Sequence, residues 1–345
     1  MAVMLVFLAV LAMFFAVRSP RSPLEGAIAR APREPGGVIA RFRVASRLAV
    51  ATAFLMFGLI VLGSIVRTTG SGLACPDWPL CHGHLLPPLE FNAIVEWLHR
   101  LVALIVSLLL LTTTGWVLAH GVLRARLGAL ALLAVGLLGA QVLLGALTVW
   151  KLLDPAIVGG HLGVALLLFA TMIALALAAA AQAEPETAVA EARPPGLLPL
   201  FSLTAAVLYA QAVLGGLVSS THASLACPDW PTCNGEWFPP LNGLVGLQMA
   251  HRYGAYALTT LLIVVAFRAR GATDPIVARA GSMLLGLTIG QIALGVSNIA
   301  LGIQVWLSAL HLANAAGMLA LSIATTFRLA SMPARRVALA PMAAS

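Results

Sequence analysis

From Leu48 to Val66 the chain reads LAVATAFLMFGLIVLGSIV, without one charged residue. A run of about 18 to 25 apolar residues matches the thickness of a bilayer when helical. Seven more runs of this kind follow, at about 95–118, 127–149, 157–181, 198–219, 248–267, 275–297 and 304–327. Inside lipid every backbone N–H and C=O must find its partner within the protein, and these runs are too long and continuous for barrel strands. The spacing therefore predicts eight transmembrane helices in an all-α integral membrane protein. Composition agrees: 61% of the residues are hydrophobic and 9% charged, which excludes a water-soluble domain of this size. A ninth apolar run at about 2–17 is short for a span and has neither a basic start nor a cleavage signal. It reads as an extra N-terminal anchor helix or as the product of a mis-assigned start, and both readings stay open.

The formal net charge of +8 does not point to nucleic acid, because the cations flank the spans. Arg18, Arg21, Arg30, Arg33, Arg41, Arg43 and Arg47 precede the first span. Arg124 and Arg126 follow the second, Arg268, Arg270 and Arg279 the sixth, and Arg328, Arg335 and Arg336 the last. Arg193 lies in a more acidic linker. The positive-inside rule assigns these segments to the cytoplasm. The alternate loops then face outward, and the loop at about 220–247 carries Asp229 and Glu236 with no Lys or Arg.

Two outward loops carry nearly the same words. LACPDWPLC spans Leu73 to Cys81 and LACPDWPTC spans Leu225 to Cys233, with eight of nine residues identical. All four cysteines of the chain lie here, as Cys75, Cys81, Cys227 and Cys233. An even count on an oxidising face favours one disulfide per loop, Cys75–Cys81 and Cys227–Cys233. A metal site, free thiols or a redox-cycling pair are the alternatives. The repeat continues beyond the loops: His251 follows His99 by 152 positions, and Gln291, Gly295 and His311 follow Gln141, Gly145 and His161 by 150. A repeat of four spans preserves orientation, so the expected architecture is two parallel four-helix bundles related by a pseudo-twofold axis along the membrane normal. The divisions expected are 1–47 (N-terminal helix and basic cytoplasmic segment), 48–181 (first half), 182–197 (cytoplasmic linker with Glu184, Glu186 and Glu191), 198–327 (second half) and 328–345 (cytoplasmic tail).

Of eight histidines, four obey the repeat: His99, His161, His251 and His311. Each opens a span at the outer face, so all four share one depth. Ionisable groups in spans are expensive and usually functional. Paired imidazoles at matched depth in a bundle suit axial ligation of heme iron; another metal or a proton path are the rivals. Small residues at Gly139, Gly145, Gly159, Gly160 and Gly163 leave room for a flat macrocycle. Arg100 and Arg252 follow two of the histidines and face either heme propionates or lipid phosphates. Glu96 stands three residues before His99, on the same helical face, while the matching residue of the second half is Gln248. A carboxyl beside one pocket alone implies that one half performs chemistry, unless it is only solvated. His82, His84, His120 and His222 stand outside the repeat and read as surface residues.

Eight spans in two halves, a cysteine pair in the first outer loop of each half, a histidine opening every second span, and the motif Glu96-x-x-His99-Arg100 together resemble the heme A synthase family of the bacterial type. The resemblance covers about 48–327; residues 1–47 lie outside the family core. It implies oxidation of a porphyrin methyl group of heme O to the formyl group of heme A, which serves heme-copper terminal oxidases. On this chain it makes His99 and His161 the ligands of heme O as substrate and heme A as product. His251 and His311 become the ligands of a resident heme b, and Glu96 the catalytic carboxylate. Implied partners are heme O, an electron acceptor, heme O synthase and terminal-oxidase assembly factors, with the bacterial plasma membrane as location. A homo-oligomer is compatible, and the source of oxygen is open. The competing reading is a diheme, quinol-linked electron-transfer cytochrome, which would hold permanent hemes in both halves; a transporter is the third.

Overall fold

A computed structural model describes residues 35–183 and 192–333. The ninth apolar run, most of the acidic linker, and Arg18, Arg21, Arg30, Arg33, Arg335 and Arg336 lie outside the described residues. The described residues form eight long helices: α1 (Pro35–Thr68), α2 (Phe91–Ala119), α3 (Gly121–Trp150), α4 (Pro155–Ala183), α5 (Leu197–Ser220), α6 (Gly243–Ala269), α7 (Pro275–Ala300) and α8 (Val305–Ser331). All eight are long and apolar enough to cross a membrane, and no strand occurs among the described residues. The protein is therefore a multi-pass helical membrane protein. Each helix overlaps one of the expected spans. The largest difference is α1, which begins 13 residues before Leu48 and takes in Arg41, Arg43 and Arg47. Arginine is a good helix former, so the helix outruns the hydrophobic stretch that marked it in the sequence.

Helix ends follow local chemistry. Pro155 and Pro275 open α4 and α7, where a missing N–H costs nothing. The carboxylates before them, Asp154 and Asp274, accept backbone N–H groups of the first turn at 2.8–3.2 Å. Asp274 also accepts from Arg328 Nε at 2.7 Å, which ties α7 to the end of α8.

Helices α1 to α4 close into a ring in which each packs on the next and α4 returns to α1. Helices α5 to α8 close the same way. The seam between the rings is made by α4 on α5, α1 on α8, and α4 on α8. This set of contacts maps onto itself when the halves are exchanged. Small residues allow close approach at the seam. A Cβ on Gly159 would come within 2.6 Å of Leu217, and one on Gly216 within 2.6 Å of Leu162. The Tyr209 hydroxyl crosses the seam and donates to the Gly163 carbonyl at 3.0 Å. Helix α4 touches both rings and is the most buried, with 67% of its apolar window inside the protein.

Candidate functional site: two histidine pairs under two lids

The four repeated histidines sit at matched depth. His99 and His251 are each the ninth residue of their helices, and His161 and His311 each the seventh. At 1.5 Å per residue they lie roughly 9–12 Å from the helix starts. Within each ring the two histidine-bearing helices stand diagonally, α2 across from α4 and α6 across from α8. The imidazoles are near enough to interact electrostatically, His99 with His161 and His251 with His311.

Each imidazole rests on a glycine of the preceding helix. The Cε1 atom lies 3.3 Å from where a Cβ would stand on Gly63 for His99, and 3.3 Å on Gly145 for His161. The equivalent distances are 2.9 Å for Gly215 under His251 and 3.1 Å for Gly295 under His311. Four glycines thus form four seats. Gly145 and Gly295 are a repeated pair in the sequence, and Gly63 and Gly215, separated by 152 positions, carry the same signal. Gly139 and Gly160 meet nothing within 4 Å, so their smallness makes no close contact.

The imidazoles are poorly satisfied by protein. His99 Nδ1, His161 Nδ1 and His311 Nδ1 are buried without a hydrogen-bond partner. Such orphans are rare in folded proteins and mark a missing ligand or a functional strain. Among the described residues no group of three or more His, Cys, Asp or Glu could hold a bare ion. Paired imidazoles at matched depth, each backed by a glycine and three of the four unpartnered at Nδ1, would suit an iron that brings its own equatorial ligands.

Amides surround the histidines unequally. Gln141 Nε2 is 3.3 Å from His161 Nε2. In the second half Gln211 Nε2 lies 3.1 Å from His251 Nδ1 and donates to the His251 carbonyl at 2.7 Å. Gln291 donates to the His311 carbonyl at 3.1 Å and accepts from Asn314 at 2.7 Å. Gln211 and Asn314 have no amide counterpart at Leu59 and Val164, so the repeat gave no hint of them.

Above each pair lies a doubled loop. Both disulfides are formed, Cys75–Cys81 and Cys227–Cys233, with Cα atoms 4.6 Å apart in each. Both Trp–Pro bonds of the loops, Trp78–Pro79 and Trp230–Pro231, are cis. The loop aspartates fold the tips: Asp77 accepts the His82 and Gly83 N–H groups at 2.6 and 2.7 Å, and Asp229 accepts those of Asn234 and Gly235 at 2.6 and 3.0 Å. Their carboxyls lie below the ordinary range. For Asp77 the Gly83 N–H contributes most; for Asp229 the Thr232 hydroxyl does, followed by Gly235. His82 and Asn234, which share no chemistry in a one-letter comparison, both take positive φ (54° and 53°) and both reach back to the carbonyl of the residue just before the loop's first cysteine, Ala74 and Ala226, at 2.9 and 3.5 Å. His82, His84 and His222 are exposed as expected, whereas His120 is half-buried, with Nδ1 2.8 Å from the Trp116 carbonyl.

The arginines after the histidines hold the lids. Arg100 donates to the carbonyls of Asp77 (2.7 Å), Leu80 (2.5 Å) and Cys75 (3.0 Å), and to Glu96 Oε1 at 2.6 Å. Arg252 donates to the carbonyls of Thr232 (2.5 Å) and Cys227 (2.7 Å), with Nε buried and unpartnered. Glu96 is 4% exposed; its second oxygen accepts the Cys75 N–H at 2.8 Å. It is an anchored anion with both oxygens engaged. Gln248 is 3% exposed and its Oε1 has no partner.

Comparison with known proteins now decides the family. The sequence model of the cytochrome oxidase assembly protein family matches residues 46–323. A heme A synthase of Symbiobacterium thermophilum is 33% identical, over 72% of this chain and 83% of its own length. The chain belongs to the heme A synthase family. Family members of Shewanella oneidensis (30% identical, 77% of this chain and 91% of theirs) and of a Methylobacterium species (31%, 83% and 94%) extend the match across both halves.

Proposed function

We propose that this protein converts heme O to heme A, with the work divided between halves related by a pseudo-twofold axis. The observation that carries the reading is the pairing of four glycine-seated histidines, three of them unpartnered at Nδ1, with a buried carboxylate beside the first pair alone. His99 and His161 hold the substrate heme, and His251 and His311 hold a resident heme b. Heme b, when bound, supplies a one-electron redox centre.

The chain's own residues divide the remaining tasks. Gln211 and the Gln291–Asn314 pair hold the second-half histidines in place from behind, as outer partners of metal-bound histidines do. Of the four ligands only His251 has an amide at Nδ1; both first-half ligands lack one there, which suits a site that must exchange substrate for product. Glu96, pinned by Arg100 and the Cys75 N–H, fixes a negative charge beside the substrate edge, where oxidation of the methyl group develops positive charge. Arg252 keeps donors free for a heme b propionate. The lids face the outside of the bacterial plasma membrane, and electrons leave to an acceptor outside this chain.

Heme extraction from purified protein, resolved by chromatography, tests the reading. Heme b with heme O or heme A in wild type, and loss of heme A in Glu96→Ala, is the expected result. Two equivalents of heme b, unchanged by the substitution, would instead favour the electron-transfer cytochrome.

A further inference from the structure

Arg67 lies in the last turn of α1. Among the described residues no hydrogen bond or ion pair reaches its guanidinium, and its Nε is fully buried without a partner. The ion pairs of the described residues are Arg100–Glu96 and Arg328–Asp274, so no carboxylate of this fold neutralises it. A partly buried cation without a counter-ion is unfavourable unless an anion arrives.

Position says where that anion comes from. Arg67 is four residues after Gly63, on the same helical face, and Gly63 is the seat of His99. Helical side chains lean toward the N-terminus of their helix, so Arg67 leans over the Gly63 turn toward the first histidine pair. Its counterpart 152 positions on is Ser219, above Gly215, so the second half has no such cation. Arg100, the other guanidinium at this end of the first pocket, is taken up by three carbonyls and Glu96.

We propose that Arg67 binds a propionate carboxylate of the porphyrin in the first pocket, and so fixes which edge of the ring faces Glu96. This rests on the reading of the His99–His161 pocket as a porphyrin site. Charge-assisted contacts of a guanidinium with a carboxylate are among the strong hydrogen bonds, and losing one of them weakens binding by about tenfold.

The test uses full-length protein in zwitterionic phosphatidylcholine nanodiscs. Ferric protoporphyrin IX and its dimethyl ester are titrated in turn and followed by Soret absorbance, with His99→Ala defining the signal of the first pocket. The diacid should bind wild type about tenfold tighter than the ester, Arg67→Gln should bring the two to parity, and Arg67→Lys should restore part of the preference. An unchanged content of co-purified heme b, held by the second half, shows that Arg67→Gln is folded. A diacid preference that survives Arg67→Gln, or equal weakening of both probes, overturns the proposal. So does loss of co-purified anionic phospholipid from Arg67→Gln with the preference intact, which would make a lipid phosphate the partner. If neither probe gives a His99-dependent signal in wild type, the pocket reading itself fails and takes the proposal with it.

Discussion

At one position the first half carries Glu96 and the second Gln248, and the two side chains behave differently although both are buried. Glu96 accepts from Arg100 and from the Cys75 N–H, joining lid, helix and histidine neighbourhood into one charged cluster. Gln248 Oε1 accepts nothing, and Arg252 holds its lid through carbonyls alone. Around the histidines the imbalance reverses: the second half has Gln211 and Asn314, the first only Gln141. One half has its polarity at the lid edge, the other around its histidines. The two halves share the frame of seats and lids, and they differ in which part of that frame is fastened.

The strongest way to break this comparison is at the histidines. His251→Ala or His311→Ala should remove the co-purified heme b almost entirely, whereas His99→Ala or His161→Ala should leave heme b and stop heme A formation; pyridine hemochrome spectra with chromatography of extracted heme read both. Equal losses from all four variants would erase the division of tasks.

Next comes the lid edge. Glu96→Ala should lower the rate of heme A formation by about a hundredfold or more. Because it leaves Arg100 without its carboxylate, it should also destabilise the protein by roughly 3 kcal/mol. Gln248→Ala should cost less than about 1 kcal/mol, since its oxygen has no partner to lose. Thermal unfolding in detergent compares the two. Glu96→Gln, which still offers an oxygen to the Cys75 N–H, should recover part of the stability but not the rate.

The glycine seats allow a finer comparison. A methyl at Gly215 would stand 2.9 Å from His251, against 3.3 Å for Gly63 and His99. Gly215→Ala should therefore cost about 1–3 kcal/mol of overpacking and loosen the resident heme, with a smaller effect for Gly63→Ala. Heme dissociation rates to apomyoglobin measure the difference.

The smallest effect concerns acid. Both loop carboxyls are held below their ordinary range, so their hydrogen bonds persist above it and are lost as pH falls through the folded-state pKa. Asp229 is held further down because Thr232 donates to it at 2.5 Å; its counterpart Leu80, the one difference between the two nine-residue loops, cannot. The first lid should therefore loosen at a higher pH than the second, and Leu80→Thr should close the gap. Hydrogen exchange of the His82 and Asn234 amides across an acid titration gives the order.

Much of this was legible beforehand. Apolar run length gave all eight helices, because lipid leaves a chain few alternatives. The 150–152-residue offset gave the histidines and the cysteine pairs, because repeats expose what both copies kept. What stayed hidden was of two kinds. Arg67, Gln211 and Asn314 occur in one half only, so no offset marked them; Arg67 was a lone cation at the lid end of a span, a signal drowned by the many arginines elsewhere. The engagement of Arg100 with three carbonyls depends on the lid's path, which no linear pattern encodes.

The length of α1 has a mechanical consequence. Its 34 residues measure about 51 Å, well beyond a hydrocarbon layer of about 30 Å. With Gly63 near the lid end, the surplus stands clear at the other, where Arg43 and Arg47 are exposed. Each contributes about 1 kcal/mol of attraction to an anionic leaflet. Such a helix is built like a keel: a charged foot of this kind resists sinking or tilting of the rod on which Gly63 rides.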